Sequence, residues 1–161
     1  MKIELDSYIR EHLAYDPTSP TGLRWAKTPP RSNIKAGTPA FTSENRGGYF
    51  HGRCQSKGLK AHRVVFFLVH GEWTRQVDHM NGDRKDNRIE NLRPVTTAEN
   101  AHNQVRRGYW LDARRGNYRA YIRCDNKQIY LGMFKTEEEA RAAHLAAKRK
   151  LHPTAPDRCF V

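Results

Sequence analysis

At 161 residues the chain has room for one or two small domains, and a net charge of +12 with a pI near 10.0 points to a phosphate-backbone partner. Hydrophobic residues make up only 37% and the mean hydropathy is −0.89, so any core is small and divided. No apolar run approaches the ~18 residues that span a bilayer, and the start, Met1-Lys2-Ile3-Glu4-Leu5-Asp6, does not read as a signal peptide. The expectation is a cytoplasmic protein with no membrane partner.

In chain order, Leu5, Ile9 and Leu13 fall at helical spacing, and Asp16-Pro17-Thr18-Ser19-Pro20-Thr21-Gly22 is dense in turn formers. From Leu23 to Lys60 the chain reads as short strands separated by Gly and Pro, which predicts one small antiparallel sheet. The run Val64-Val65-Phe66-Phe67-Leu68-Val69 fits a buried strand or a buried helix equally by periodicity. Leu92-Arg93-Pro94-Val95 is strand-like. Thr96 and Thr97 are N-cap candidates for a helix that sets Asn100 and Asn103 on one face. After a basic linker at 104–108, Tyr109–Ala113, Tyr118–Cys124 and Gln128–Met133 read as three strands, with turns at Arg115-Gly116-Asn117 and Asp125-Asn126. Thr136…Glu139 is a capping box opening a helix with Ala140, Ala143, Ala147 and Leu151 as its apolar stripe. Cys54, Cys124 and Cys159 are widely spaced and odd in number, which predicts free thiols rather than a zinc knuckle.

The densest chemistry lies in Asp78-His79-Met80-Asn81-Gly82-Asp83-Arg84-Lys85-Asp86-Asn87-Arg88-Ile89-Glu90-Asn91-Leu92-Arg93, with Glu99-Asn100 and Asn103 following. His79 is the good general base of the stretch, with an ordinary pKa near ~6.5. Asp78 is a hard oxygen donor suited to Mg²⁺ or Mn²⁺. Alternation along a strand sends Asp78 and His79 to opposite faces, so either the backbone bends here or the two straddle a metal.

This segment, from about Ala61-His62-Arg63 to Asn103-Gln104, resembles the HNH nuclease motif of phage and intron homing endonucleases. The resemblance favours a helix over the Val64–Val69 run, closed by Gly71. It implies His79 as general base, Asn91 as the middle residue of the motif fixing the loop behind His79, and Asp78 with Asn100 as metal ligands. Many HNH nucleases have His at the position of Asn100; an amide keeps an oxygen donor and disfavours Zn²⁺. Arg93 is a phosphate clamp or a solvated strand arginine, Asn103 a phosphate contact or a cap, and Arg63 with His62 a packing pair or a phosphate contact.

The C-terminal pieces Tyr118-Arg119-Ala120-Tyr121-Ile122-Arg123, Leu131-Gly132-Met133-Phe134 and Thr136-Glu137-Glu138-Glu139-Ala140 with Ala146-Ala147 resemble the three-strands-plus-helix DNA-binding domain of plant ethylene-response factors. The first hairpin departs from the plant form, so the resemblance carries the fold rather than a base preference. Arg119, Tyr121 and Arg123 alternate onto one strand face, which Trp110, Arg114, Arg115 and Tyr130 flank.

The expected class is α+β: a small N-terminal antiparallel sheet, a ββα-metal HNH unit, then a three-stranded sheet plus helix. The expected division is 1–104 (HNH core about 61–104), 105–153, and a tail at 154–161. The expected function is a Mg²⁺-dependent endonuclease hydrolysing phosphodiester bonds in duplex DNA, of homing or nicking type and phage style, with a monomer favoured. The alternatives are a non-catalytic DNA-binding regulator carrying a decayed nuclease domain, and an RNA-binding or RNA-cleaving protein, for which aromatic stacking signatures are missing.

Overall fold

The computed structural model describes residues 4–160; the opening Met1-Lys2-Ile3 and Val161 lie outside the described residues. The protein is α+β and divides after Val95 into two compact units.

In the first unit, helix α1 (Leu5–His12) buries Tyr8, Ile9 and His12. It stops where Leu13 turns extended, and Leu13 begins strand β1 (Leu13–Tyr15) instead of continuing the helical stripe. The turn-rich segment then folds β2 (Leu23–Trp25) back onto β1, Leu13 opposite Trp25 and Tyr15 opposite Leu23. Asp16 sets this turn: its Oδ1 accepts from the Thr18 amide at 2.8 Å and from the Thr18 hydroxyl at 2.7 Å, and its carboxylate pairs with Arg24.

Strands β3 (Ser43–Glu44), β4 (Phe50–Cys54) and β5 (Lys57–Lys60) form a separate sheet in that order. The single sheet expected from Leu23 to Lys60 is therefore two. Pro29, Pro30 and Pro39 lie between β2 and β3, and Arg31 and Phe41 take positive φ, so the chain cannot run straight from one strand into the next. Residues Gln55 and Ser56, both at positive φ, close the β4–β5 hairpin, a turn with no Asn-Gly signal to announce it.

The ambiguous apolar run is helix α2 (Ala61–His70), with Ala61, Val64, Val65, Phe66 and Phe67 buried. Gly71 closes it at φ 83°, a left-handed position where a Cβ is costly, and its amide donates to the Phe67 carbonyl. Around α2 the core gathers Ile9, Leu13, Leu23, Trp25, Ala40, Phe41 and Leu92. Strand β6 (Gln76–His79) pairs antiparallel with β7 (Leu92–Val95), and the polar loop of residues 80–91 joins them.

The second unit holds helix α3 (Thr97–His102), then β8 (Tyr109–Asp112), β9 (Asn117–Cys124) and β10 (Lys127–Phe134) as an antiparallel sheet of order β10-β9-β8. Helix α4 (Glu137–Leu151) opens with the Thr136/Glu139 capping box. Ala120, Ala140 and Tyr109 form a small core with Tyr118, Leu131 and Phe134 against it. The buried side of α4 is Ala140, His144 and Lys148, not the all-apolar stripe that the alanines suggest. The polar members are tolerated because carbonyls take their protons: His144 Nδ1 bonds the Tyr121 carbonyl at 2.9 Å and Lys148 Nζ donates to that of Gln104 at 2.7 Å. A 3-10 turn at Asp157–Phe160 buries Cys159. All three cysteines are free thiols. Among the described residues no helix is long and apolar enough to cross a membrane.

Candidate active site

The β6–β7 hairpin carries the Asp-His pair without a bend. Its register runs unshifted from Gln76 opposite Val95 to His79 opposite Leu92. Consecutive side chains therefore meet different neighbours, as strand alternation requires. Asp78 faces Arg93 across the hairpin, and Arg93 Nη2 donates to Asp78 Oδ2 at 3.3 Å. Both side chains are mostly covered, at 12% and 24% exposure.

His79 is 3% exposed, and its surroundings decide where its proton sits. Asn87, also 3% exposed, donates its Nδ2 to the Thr21 carbonyl at 2.8 Å. A carbonyl only accepts, so the Asn87 amide is oriented with Oδ1 towards His79 Nε2, 3.0 Å away. Oδ1 in turn only accepts, so Nε2 carries the hydrogen. In the neutral ring the lone pair then resides on Nδ1. Burial lowers the His79 pKa below its ordinary value, opposed by the Asn87 bond and by the charges of Asp78, Asp83 and Asp86. The ring is accordingly neutral at physiological pH. His62 packs edge-on against it with ring centroids 4.9 Å apart. Burial, then His79, Lys60 and Arg63, push His62 down to about 3. Tyr49 completes the cluster, 5.1 Å from the His62 ring and 5.9 Å from that of His79.

The loop of residues 80–91 is a series of side-chain-closed turns. Asn91, at the loop's end, ties it to its start and its middle: Oδ1 accepts from the Asn81 amide at 2.9 Å and Nδ2 donates to the Asp86 carbonyl at 2.8 Å. Asn81 Oδ1 accepts from the Asp83 amide and Asp83 Oδ1 from the Lys85 amide. Asp86 receives Arg88 on both oxygens, at 2.9 and 2.8 Å, and Asn81 Nδ2 at 2.8 Å. These bonds, led by Arg88, lower its pKa to about 2. Asp86 is thus occupied in fixing the loop. Arg63 donates to the Thr74 carbonyl at 3.1 Å and lies over Trp73, which ties it to the turn after α2.

In the second unit Thr96 caps α3. Its hydroxyl accepts from the Glu99 amide at 3.2 Å, and Glu99 Oε2 accepts from the Thr96 amide at 2.7 Å. Asn100 is half-buried on α3. Asn103 is the C-terminal cap residue, buried, and its carbonyl accepts from Arg158 Nη1 at 2.9 Å and from Cys159 Sγ at 3.0 Å.

On the sheet of this unit Trp110 and Tyr121 stack at 4.4 Å with ring planes 3° apart, and Tyr130 meets Tyr121 at 5.1 Å. Trp110 and Tyr130 are 47% and 52% exposed, so an aromatic ladder crosses all three strands on the solvent side. Ala120 and Ile122 are buried on the opposite face. Arg114, Arg115 and Arg123 are exposed, whereas Arg119 is ion-paired with Asp112.

Sequence reasoning gave no role to Asn87, Tyr49, Lys60 or Arg84. Asn87 stands in the Asp86-Asn87-Arg88 step and carries a local signal. Tyr49 carries none, because it reaches the site through tertiary packing from the segment before β4.

Comparison with known proteins bears on this hairpin. Residues 59–102 match the family described as HNH endonuclease, a stretch that runs from β5 into α3 and includes Asp78, His79, Asn87, Asn91 and Asn100. A protein of Acanthamoeba polyphaga mimivirus named as an uncharacterized HNH endonuclease is 35% identical over 96 residues, spanning 54% of this chain. The chain covers 23% of that relative's length. No solved structure matches the chain.

Proposed function

We propose that the protein is a metal-dependent HNH-type endonuclease that hydrolyses phosphodiester bonds in duplex DNA. The observation that carries this reading is the state of His79: neutral, buried beside Asp78, with its proton fixed on Nε2 by Asn87 and its lone pair on Nδ1. Hydrolysis at phosphorus needs a proton acceptor for water, charge stabilisation at the phosphate, and help for the departing oxygen. His79 takes the proton from water at Nδ1. As the ring becomes imidazolium, Asn87 Oδ1 strengthens its bond to Nε2–H. Asn91 holds the loop that presents this pair.

Asp78 and Asn100 are the residues we assign to a divalent ion. The donor set fits Mg²⁺ or Mn²⁺, since a carboxylate and an amide are both hard oxygen donors. When bound, the ion supplies Lewis-acid stabilisation of phosphate charge. Arg93, on the Asp78 carboxylate, places a guanidinium at the same edge of the hairpin.

We assign duplex binding to the solvent face of β8–β10, with Arg114, Arg115 and Arg123 around the Trp110–Tyr121–Tyr130 ladder. Trp110 and Tyr121 each turn one ring face to the other, and we take the ladder to present its edges to a groove. With one such site per monomer, the expected product is a nick with a 5′-phosphate and a 3′-hydroxyl, consistent with a homing or nicking role. The test is relaxation of supercoiled plasmid with Mg²⁺, with excess EDTA, and with His79→Ala. Nicking that needs the ion and falls at least ~100-fold in the variant, with DNA affinity retained, is the expected result. Equal activity in parent and variant refutes the assignment.

A further inference from the structure

Beside the His79 cluster two cations converge on one aromatic ring. Lys60 Nζ, at the end of β5, lies 4.2 Å from the centroid of Tyr49, and the Arg84 guanidinium carbon, from the loop of residues 80–91, lies 5.2 Å from it. Arg84 Nη1 is also tied to the Gly47 carbonyl at 2.8 Å. Three segments remote in sequence thus hold two positive charges on the ring that touches His62 and His79.

Two nearby cations are paired with carboxylates, Lys85 with Glu44 at 2.7 Å and Arg88 with Asp86 at 2.8 Å, while Arg63 donates to the Thr74 carbonyl. Among the described residues neither Lys60 nor Arg84 has a carboxylate partner. Like charges gathered this way repel, and the ring quadrupole offsets only part of that repulsion. Burial and the charges of Arg63 and Arg84 lower the Lys60 pKa, as expected of a cation short of a counter-ion. A phosphate drawn to both side chains offsets this repulsion.

We propose that Lys60 and Arg84, held on Tyr49, form a phosphate seat that takes a backbone phosphate of the DNA next to the bond that is cut. The assignment rests on the nuclease reading above. The seat borders His79 through the Tyr49 ring, so we place the phosphate it holds next to the one addressed by the imidazole. Both cations and the ring come from the unit that carries His79. The seat therefore fixes the strand relative to the base independently of any contact made by the C-terminal sheet.

The experiment uses the full chain with Lys60→Met, Arg84→Met and both together, changes that keep the stems and remove the charges. Duplex affinity is measured by fluorescence anisotropy across a salt series in EDTA, and single-turnover nicking is measured with Mg²⁺. Each lost phosphate contact lowers the log–log salt slope by about 0.9, so the double variant, which loses the one seated phosphate, is expected to lose about 0.9 and to bind at least about tenfold more weakly at low salt. The half-saturating protein concentration in cleavage should rise with Kd, since the contact is made alike before and during the reaction. Arg84→Lys, which keeps the charge, should retain the slope, separating charge from fold. An unchanged affinity and slope in the double variant overturns the seat, as does a loss confined to the maximal rate. A parent that binds duplex DNA but never nicks it refutes the nuclease reading, while the salt series still judges the seat.

Discussion

Replacing Asn87 probes the geometry around His79 more sharply than replacing the histidine. Asn87→Ala removes a 3.0 Å bond from His79 Nε2 and a 2.8 Å bond to the Thr21 carbonyl, both buried. Leaving two buried groups without partners costs about 1–3 kcal/mol each, so a stability loss of about 2–6 kcal/mol is expected in thermal or urea unfolding. On the rate, a bond to neutral imidazole is worth about 0.5–1.5 kcal/mol and one to imidazolium about 1.5–3 kcal/mol. The difference, about 1–1.5 kcal/mol, is gained only as the proton moves, which is roughly tenfold. Release of the tautomer adds to this, so single-turnover nicking at saturating protein should fall about 10–100-fold with Kd unchanged. Asn87→Asp keeps the acceptor but sets a carboxylate against the ring. Water activation needs the neutral form, so the rate rises with pH through the His79 pKa, which burial holds below its ordinary value in the parent. A carboxylate partner raises that pKa, and the rising limb should move up by about one to three pH units. An Asn87→Asp profile lying on the parent's, or an Asn87→Ala protein that nicks at the parental rate, refutes the argument.

Asp78→Ala and Asn100→Ala should each abolish Mg²⁺-dependent nicking in the plasmid assay, and full parental activity in excess EDTA contradicts the hard-oxygen site. His62 predicts an acid limb of stability. The unfolded chain takes up its proton near pH 6.5 but the folded chain only near about 3, so stability falls as pH drops through that window and is flat above it. The effect is on the order of a few kcal/mol, and His62→Gln should flatten it in urea melts at pH 4 to 7. On the C-terminal sheet Arg123→Ala should lower the salt slope of duplex binding by about one. Arg119→Ala should lower it by less, because Asp112 already neutralises Arg119.

The parts of the fold readable from sequence are those fixed by local chemistry. The Thr136…Glu139 capping box, the Thr96 N-cap, the Gly71 stop, the Asp125-Asn126 turn and the strand run Leu92–Val95 all lie within a few residues of what they control. Periodicity leaves the run at 64–69 open because all its residues are apolar; in the structure it is a helix buried in the core. The N-terminal strands form two sheets rather than one because strand pairing depends on where a turn sends the chain, and the Asp16 turn sends β2 to β1. On α4 the alanines drew attention from His144 and Lys148, whose burial depends on carbonyls far along the chain. In the site, Asp78, His79 and Asn91 were legible because one hairpin and its loop hold them. The orientation of Asn87 rests on Thr21, 66 residues away, and no local pattern encodes it.

One physical cause links the pH behaviour of activity and of stability. Burial lowers the His79 pKa, which in the proposed mechanism would extend base catalysis towards acid. The same burial depresses His62, 4.9 Å from it, and makes the fold itself sensitive to acid. If the chain nicks DNA as proposed, the expected loss of activity on acidification has two parts, titration of His79 and proton-driven unfolding around His62. They separate by temperature and variant. His62→Gln should remove the unfolding component, so that loss of nicking in the cold at pH 5 reports His79 alone. If His62→Gln instead shifts the rate profile while leaving the urea melts unchanged, the two imidazoles titrate as one site, and the base is the pair rather than His79.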